Sequence, residues 1–344
     1  AIQAILLLRP EEETSTQAAA CYGGAIKVLH SSLSNPARST SELVLCLLLC
    51  IYEILSSGGS LHLHLAGASA LIRSLEIREQ SNHLRRFFHL LDISNAIISS
   101  RAPIWDDYSD VDLAGPSLWP AYDTEHVAIT SFQKLMTIMA KMACLSKASR
   151  NIQMQHHSQE IHKLYYDLRV WWMSCPLQIR SQQNDWRCQE RKQKLGVEET
   201  LQQELFSSIR ACFYGCKLYL QHILHPLGAD PLGQNSMEAE GATAVREILK
   251  IVSATPLGYG LEVGLDWSVF MLGVSIVNDV EKEESIRQWL CHAKRKSPYP
   301  ASSLTLLEAL WKQQHQDGRK CDWRQVKTEA GIKWWVRGSQ EGLR

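Results

Sequence analysis

Apolar residues recur three and four positions apart along nearly the whole chain, and no stretch keeps the alternation bounded by turn residues that a sheet strand needs. The pattern predicts an all-α fold, a large irregular multi-helix domain over residues 1–344. Its clearest element is the run Leu43 to Leu55. Ser39 and Glu42 stand ahead of it at capping-box spacing, and Ser56-Ser57-Gly58-Gly59-Ser60 ends it, which brackets one fully buried helix. Leu61-His62-Leu63-His64-Leu65 alternates like a strand, but Leu65, Ala68, Leu71, Ile72 and Leu75 continue at helical steps, so a second helix is expected to pack on the first. Further helices are predicted over Leu84 to Ser99, Glu125 to Ser146, Ile152 to Met173, Thr200 to His225, Ala239 to Ser253, Trp267 to Ala293, Ser303 to Gln314 and Trp323 to Val336. Polar stretches at 180–199 and 227–236 read as surface loops.

Composition narrows the class. With 45% hydrophobic and 21% charged residues over 344 positions, the chain can bury a large core. Lys+Arg and Asp+Glu are equal at 36 each, so the basic footprint of a domain that grips phosphates is missing from the average. Ten cysteines are scattered, several within apolar runs, and no Cys-x-x-Cys occurs, which reads as reduced, buried thiols. The longest apolar run is too short to cross a bilayer and carries Glu53, so no membrane partner is expected. The opening Ala1-Ile2-Gln3-Ala4-Ile5 reads as the end of a core helix whose beginning has been cut off.

Several local patterns invite chemistry. Asp106-Asp107-Tyr108-Ser109-Asp110 has the Asp-Asp-x-x-Asp spacing that gathers Mg²⁺ around a diphosphate and resembles that of class I terpene synthases. This gives an alternative expectation, a divergent enzyme using Asp106, Asp107 and Asp110. The second metal motif of those enzymes begins at Asn278-Asp279, then fails at Lys282 and Ile286, and Pro103 and Pro116 frame the acidic cluster as a loop. Cys212 and Cys216 with His222 and His225 suggest zinc, yet Cys212 and His222 are about 15 Å apart on one helix, beyond a shared ion. Neither Gly258 to Gly264 nor Gly273-Val274-Ser275 completes a nucleotide loop or a nucleophile elbow. Lys294-Arg295-Lys296 reads either as a nuclear-import signal or as a basic helix end. The eleven tryptophans read as helix-packing residues. No catalytic, cofactor or metal residue is expected in the chain.

At Leu43 to Leu75 the sequence resembles the fungus-specific transcription factor domain, the regulatory region of fungal six-cysteine zinc-cluster transcription factors. A leucine-rich helix ending in Tyr52-Glu53 precedes a helix opening on His64, Leu65, Gly67 and Ala68. The family's order continues through Phe87 to Asp92, Trp171 to Pro176, Tyr214, Tyr219 and His225-Pro226. It ends on Asp266 to Gly273 with Trp267, Leu306 to Trp311, and Asp322-Trp323, so the likeness covers about residues 17 to 336. Gly67 and Ala68 are expected to let two helices approach closely. Glu53, at the end of an apolar helix, needs a partner, for which His64 or Arg73 is the candidate.

The resemblance implies a non-catalytic domain that controls RNA polymerase II transcription in the nucleus, with the transcription machinery, a homodimer partner and a small-molecule effector as expected partners. An apolar pocket in the helical core is the expected effector site. The family's zinc belongs to an N-terminal six-cysteine cluster, and DNA is contacted only through it. That cluster is missing from this sequence, which therefore reads as a fragment, an incomplete gene model or a degenerate paralogue.

Overall fold

The computed structural model describes residues 2–3, 12–34, 40–56, 60–74, 82–99, 101–105, 123–148, 158–181, 197–224, 234–254, 265–293 and 299–332. These hold thirteen helices and no strand. In chain order they are α1 (Glu12–Leu33), α2 (Thr40–Ser56), α3 (Leu61–Ser74), α4 (Asn82–Ser99), α5 (Asp123–Ala148), α6 (Ser158–Ser174) and α7 (Leu177–Arg180). They continue as α8 (Val197–Leu224), α9 (Gln234–Ala254), α10 (Leu265–Ser275), α11 (Val280–Ala293), α12 (Tyr299–Asp317) and α13 (Trp323–Glu329). The chain divides into two compact units: α1 to α4 belong to the first, while α5 to α11, α12 from Ser303 onward and α13 belong to the second. No helix among the described residues is long and apolar enough to cross a membrane.

In unit 1, α2 packs against α1, α3 and α4. Leu43, Cys46, Leu47, Leu49 and Cys50 are all at least 97% buried, so contacts surround most of the helix, as its nearly unbroken apolar run requires. In α3, Leu61, Leu65, Ala68, Leu71 and Ile72 face the core while Leu63 is 69% exposed, so the helical step wins over the local alternation. After α4, both Asp92 carboxylate oxygens accept backbone N–H groups, Oδ1 from Ile104 and Oδ2 from Trp105, each at 2.9 Å, and so pin the following segment.

In unit 2, α8 is the hub, packing against α5, α7, α9 and α10. Eight consecutive residues of α10, Trp267 to Val274, are buried, as befits a helix apolar on every side. Arg324 ties α13 to α5 by donating from Nη1 to Ser146 Oγ at 2.7 Å.

Several sequence expectations are corrected. The single helix expected from Trp267 to Ala293 is two, broken between Ser275 and Val280. Asn278 takes the left-handed conformation at φ 56°, which asparagine tolerates better than most residues, and Asp279 then receives the Lys282 backbone N–H at 3.2 Å, opening α11. The last helix ends at Glu329, short of Val336. Gly331 at φ 60° and the bond from Ile332 N to Lys327 O at 3.0 Å terminate it in a Schellman-like turn. The expected loops are shorter than 180–199 and 227–236 at their far ends, because α8 starts at Val197 and α9 at Gln234. Helix α1 was not among the predicted elements.

Candidate functional site

Tyr52, Glu53 and His64 come together in unit 1 around a fourth residue, Tyr22 of α1. Glu53 is 4% exposed, and both its oxygens are used: Oε1 accepts the Tyr22 hydroxyl, and Oε2 accepts the Ser60 backbone N–H at 2.8 Å. His64 Nε2 lies 2.7 Å from the Tyr22 oxygen and 3.8 Å from Glu53 Oε1. The Tyr22 hydroxyl has one proton and gives it to Glu53, so His64 must be the donor in its contact, which requires hydrogen on Nε2. The Tyr22 ring stacks on Tyr52 with centroids 4.4 Å apart and meets the His64 ring edge-on at 5.9 Å.

The electrostatics follow from these contacts. Burial alone pushes the Glu53 carboxyl up, but the contacts with His64, Tyr22 and the Ser60 amide outweigh it and hold the group below its ordinary value. Burial, reinforced by the Glu53 carboxylate, drives the Tyr22 phenol well above its usual value. Tyr52 is raised by burial and then by Glu53. Both Glu53 oxygens are thus engaged within the protein. The arrangement acts as a polar staple joining α1, α2 and α3.

Of the two partners expected for Glu53, the structure selects His64. Arg73 instead lies over the Trp105 ring, 5.1 Å from its centroid, with Arg85 5.3 Å from the same ring. Tyr22 carried no local signal, since it lies 31 residues before Glu53. Ala68 is fully buried, but a Cβ on Gly67 would meet only Cys46 Sγ, at 3.5 Å, an ordinary contact. The close approach anticipated at Gly67 occurs in unit 2. A Cβ on Gly215 would fall 2.7 Å from the Trp267 ring, and one on Gly273 would fall 2.6 Å from Leu307 Cδ1.

The three signature tryptophans surround that packing. Trp311 donates from Nε1 to the Gly273 carbonyl at 2.9 Å. Trp323 meets Phe270 edge-on at 5.3 Å, and Trp267 meets Tyr219 edge-on at 6.0 Å. Ahead of Trp323, Asp322 caps α13 by accepting the Arg324 N–H at 2.9 Å, and it lies 3.5 Å from His222 Nε2. Burial raises the Asp322 carboxyl, but His222 and Arg324 outweigh it and hold it far below the usual carboxylate range. Burial in turn lowers His222, against the pull of Asp322.

Asp106, Asp107 and Asp110 lie outside the described residues, as do His225 and Lys294 to Lys296. Asp279, second residue of the motif that begins at Asn278-Asp279, serves as the cap of α11 and pairs with Lys282. Cys212 points its thiol at Met139 Sδ, 3.5 Å away, and Cys216 is fully buried with its thiol pushed up by burial. Among the described residues, no three His, Cys, Asp or Glu side chains gather as a metal would require.

The model of the family described as fungal specific transcription factor domain matches residues 3–335. Nothing in the comparisons supports the diphosphate alternative. No curated protein and no solved structure matches the chain. The match runs through the Glu53 staple, the glycine and tryptophan packing and nearly all of the helical body between them, and on that extent the chain belongs to the fungal specific transcription factor domain family, with a regulatory role in fungal transcription factors.

Proposed function

We propose that this chain is the non-catalytic regulatory part of a nuclear transcription factor that acts on RNA polymerase II promoters, reaches DNA through a separate zinc-cluster module, and changes its output in response to a small-molecule or protein effector. The observation that carries the reading is the family match over residues 3–335. Two features support it. The formal charge balances at zero, which suits a domain that leaves phosphate contacts to another module. In the Tyr-Glu-His cluster both Glu53 oxygens are engaged by groups of the protein itself, which suits a scaffold.

An effector can shift a regulatory equilibrium only by binding one state better than the other. The expected test is therefore a tethering assay: fuse residues 1–344 to a heterologous DNA-binding module and read transcription from a reporter. Reporter output that departs from that of the module alone supports the proposal. Equal output with and without the chain, across growth conditions and with the fusion shown to be folded and nuclear, overturns it.

A further inference from the structure

One face of α9 forms the wall of a groove of about 640 Å³ within unit 2. That volume suits a small organic ligand, whose sites run from about 300 to 1,000 Å³. Ala242, Val245 and Leu249 follow one another at helical steps along α9 and, with Leu218 of α8, give the groove an apolar lining. At Gly241 a Cβ would strike the Gln221 amide at 2.4 Å, so the missing side chain lets that amide lie against α9.

The charge on this wall is uneven. Arg246, Lys250, Lys282 and Lys320 line the groove, against the single carboxylate of Glu238. Three of the four cations are already matched: Glu247 holds Lys250 at 2.7 Å and lies 3.7 Å from Arg246, and Asp279 holds Lys282. Lys320, in the segment between α12 and α13, is half-buried and has no hydrogen-bond or ion-pair partner among the described residues. Burial pushes its ammonium down, against the pull of the Glu238 charge. A half-buried ammonium facing a groove, with no protein acceptor among the described residues, is open to an anionic partner. An anion in the groove would supply that acceptor, while the apolar stripe covers its body.

We propose that this groove binds a small organic anion with an apolar body, with the Lys320 ammonium as its counterion. The site deepens the effector reading above and rests on it for its regulatory meaning. Glu238 faces the same space, so it weakens the anion's hold and selects against a second negative charge at that end.

The test is isothermal titration of the full chain with octanoate, 1-octanol and inorganic phosphate as separate probes. Octanoate is expected to bind, and octanol and phosphate to bind at least about tenfold more weakly, since each lacks one half of the match. Lys320→Met is expected to cost about tenfold in octanoate affinity without lowering the melting temperature, and Lys320→Arg to restore most of it. Glu238→Gln is expected to tighten octanoate. The proposal is overturned if octanoate does not bind, if octanol or phosphate binds as well as octanoate, or if Lys320→Met leaves affinity unchanged. Loss of the groove with a surviving tethered-reporter effect removes this site alone. Octanoate binding that depends on Lys320, with no reporter effect, removes the functional reading and leaves the site.

Discussion

Glu53 in unit 1 and Glu204 in unit 2 are the same residue at the same burial, each 4% exposed, and they behave in opposite ways. Glu53 meets a hydroxyl, an imidazole and a backbone amide, and stays ionised below its ordinary range. Glu204, on α8, has no hydrogen-bond partner for either oxygen among the described residues, and burial pushes its carboxyl up to about 7. Burial alone therefore does not fix a carboxyl's charge. The donors that folding brings to it decide whether desolvation is outweighed.

The two units differ accordingly in how pH acts on them. Glu53 has a depressed folded value, so its contribution is complete above the unfolded value of about 4.3 and is lost as the medium is acidified through the folded value. Glu204 has a raised folded value, so its contribution is complete below about 4.3 and declines as pH climbs through about 7. Glu53 should therefore make unit 1 lose stability toward acid, and Glu204 should make unit 2 lose it toward neutral pH, beside the acid loss that Asp322 brings to unit 2.

The largest expected effect tests whether unit 2 leans on aromatic packing where unit 1 leans on a polar staple. Trp311→Ala removes a 2%-exposed ring and its bond to Gly273, and should cost about 4 kcal/mol in chemical denaturation, seen as faster amide exchange in α10 and α12. Next, Glu53→Gln strips the charge from the staple and sets an NH2 group against one of its two donors. A loss of about 3 kcal/mol is expected, with exchange accelerated in α2 and α3. In the reverse direction, Glu204→Met should stabilise unit 2 by about 2 kcal/mol at pH 8 and by little at pH 4, removing its decline toward neutral pH. If Glu204→Met destabilises at pH 8, the contrast between the two acids fails.

Two glycines sharpen the comparison at smaller scale. Gly273→Ala forces a methyl against Leu307 and should cost about 2 kcal/mol by overpacking. Gly67→Ala meets only an ordinary contact in mid-helix and should gain about 0.5 to 1 kcal/mol from helix propensity, read as a higher melting temperature.

Much of the helical body was legible because its signal is local. Leu61, Leu65, Ala68, Leu71 and Ile72 carry the 3.6-residue step whatever surrounds them, and their burial follows. Helix α1 was harder to see, since Ala18, Ala19, Ala20, Gly23 and Gly24 dilute its apolar stripe. The break between α10 and α11 was hidden because Ile276 and Val277 prolong the apolar pattern up to Asn278, whose left-handed turn is a one-residue event. The staple was half legible: a carboxylate at the end of an apolar helix announces a need for a partner, and His64 stands in the next helix. Tyr22 is supplied by tertiary packing across 31 residues, and no spacing rule reaches that far. The packing role of Gly215 and Gly273 was hidden for the same reason, because what makes them necessary is a side chain on another helix.

The central claim is that the family-signature residues serve the regulatory role by holding the helices together and perform no chemistry themselves. It is tested most directly by measuring the output of the tethered reporter for the wild type and for Glu53→Gln across a range of temperatures, beside the folded fraction of each. Output that falls on one common curve against folded fraction is the predicted result. A Glu53→Gln protein that is fully folded and yet silent would contradict the account, because Glu53 would then be acting on transcription by some means other than structure.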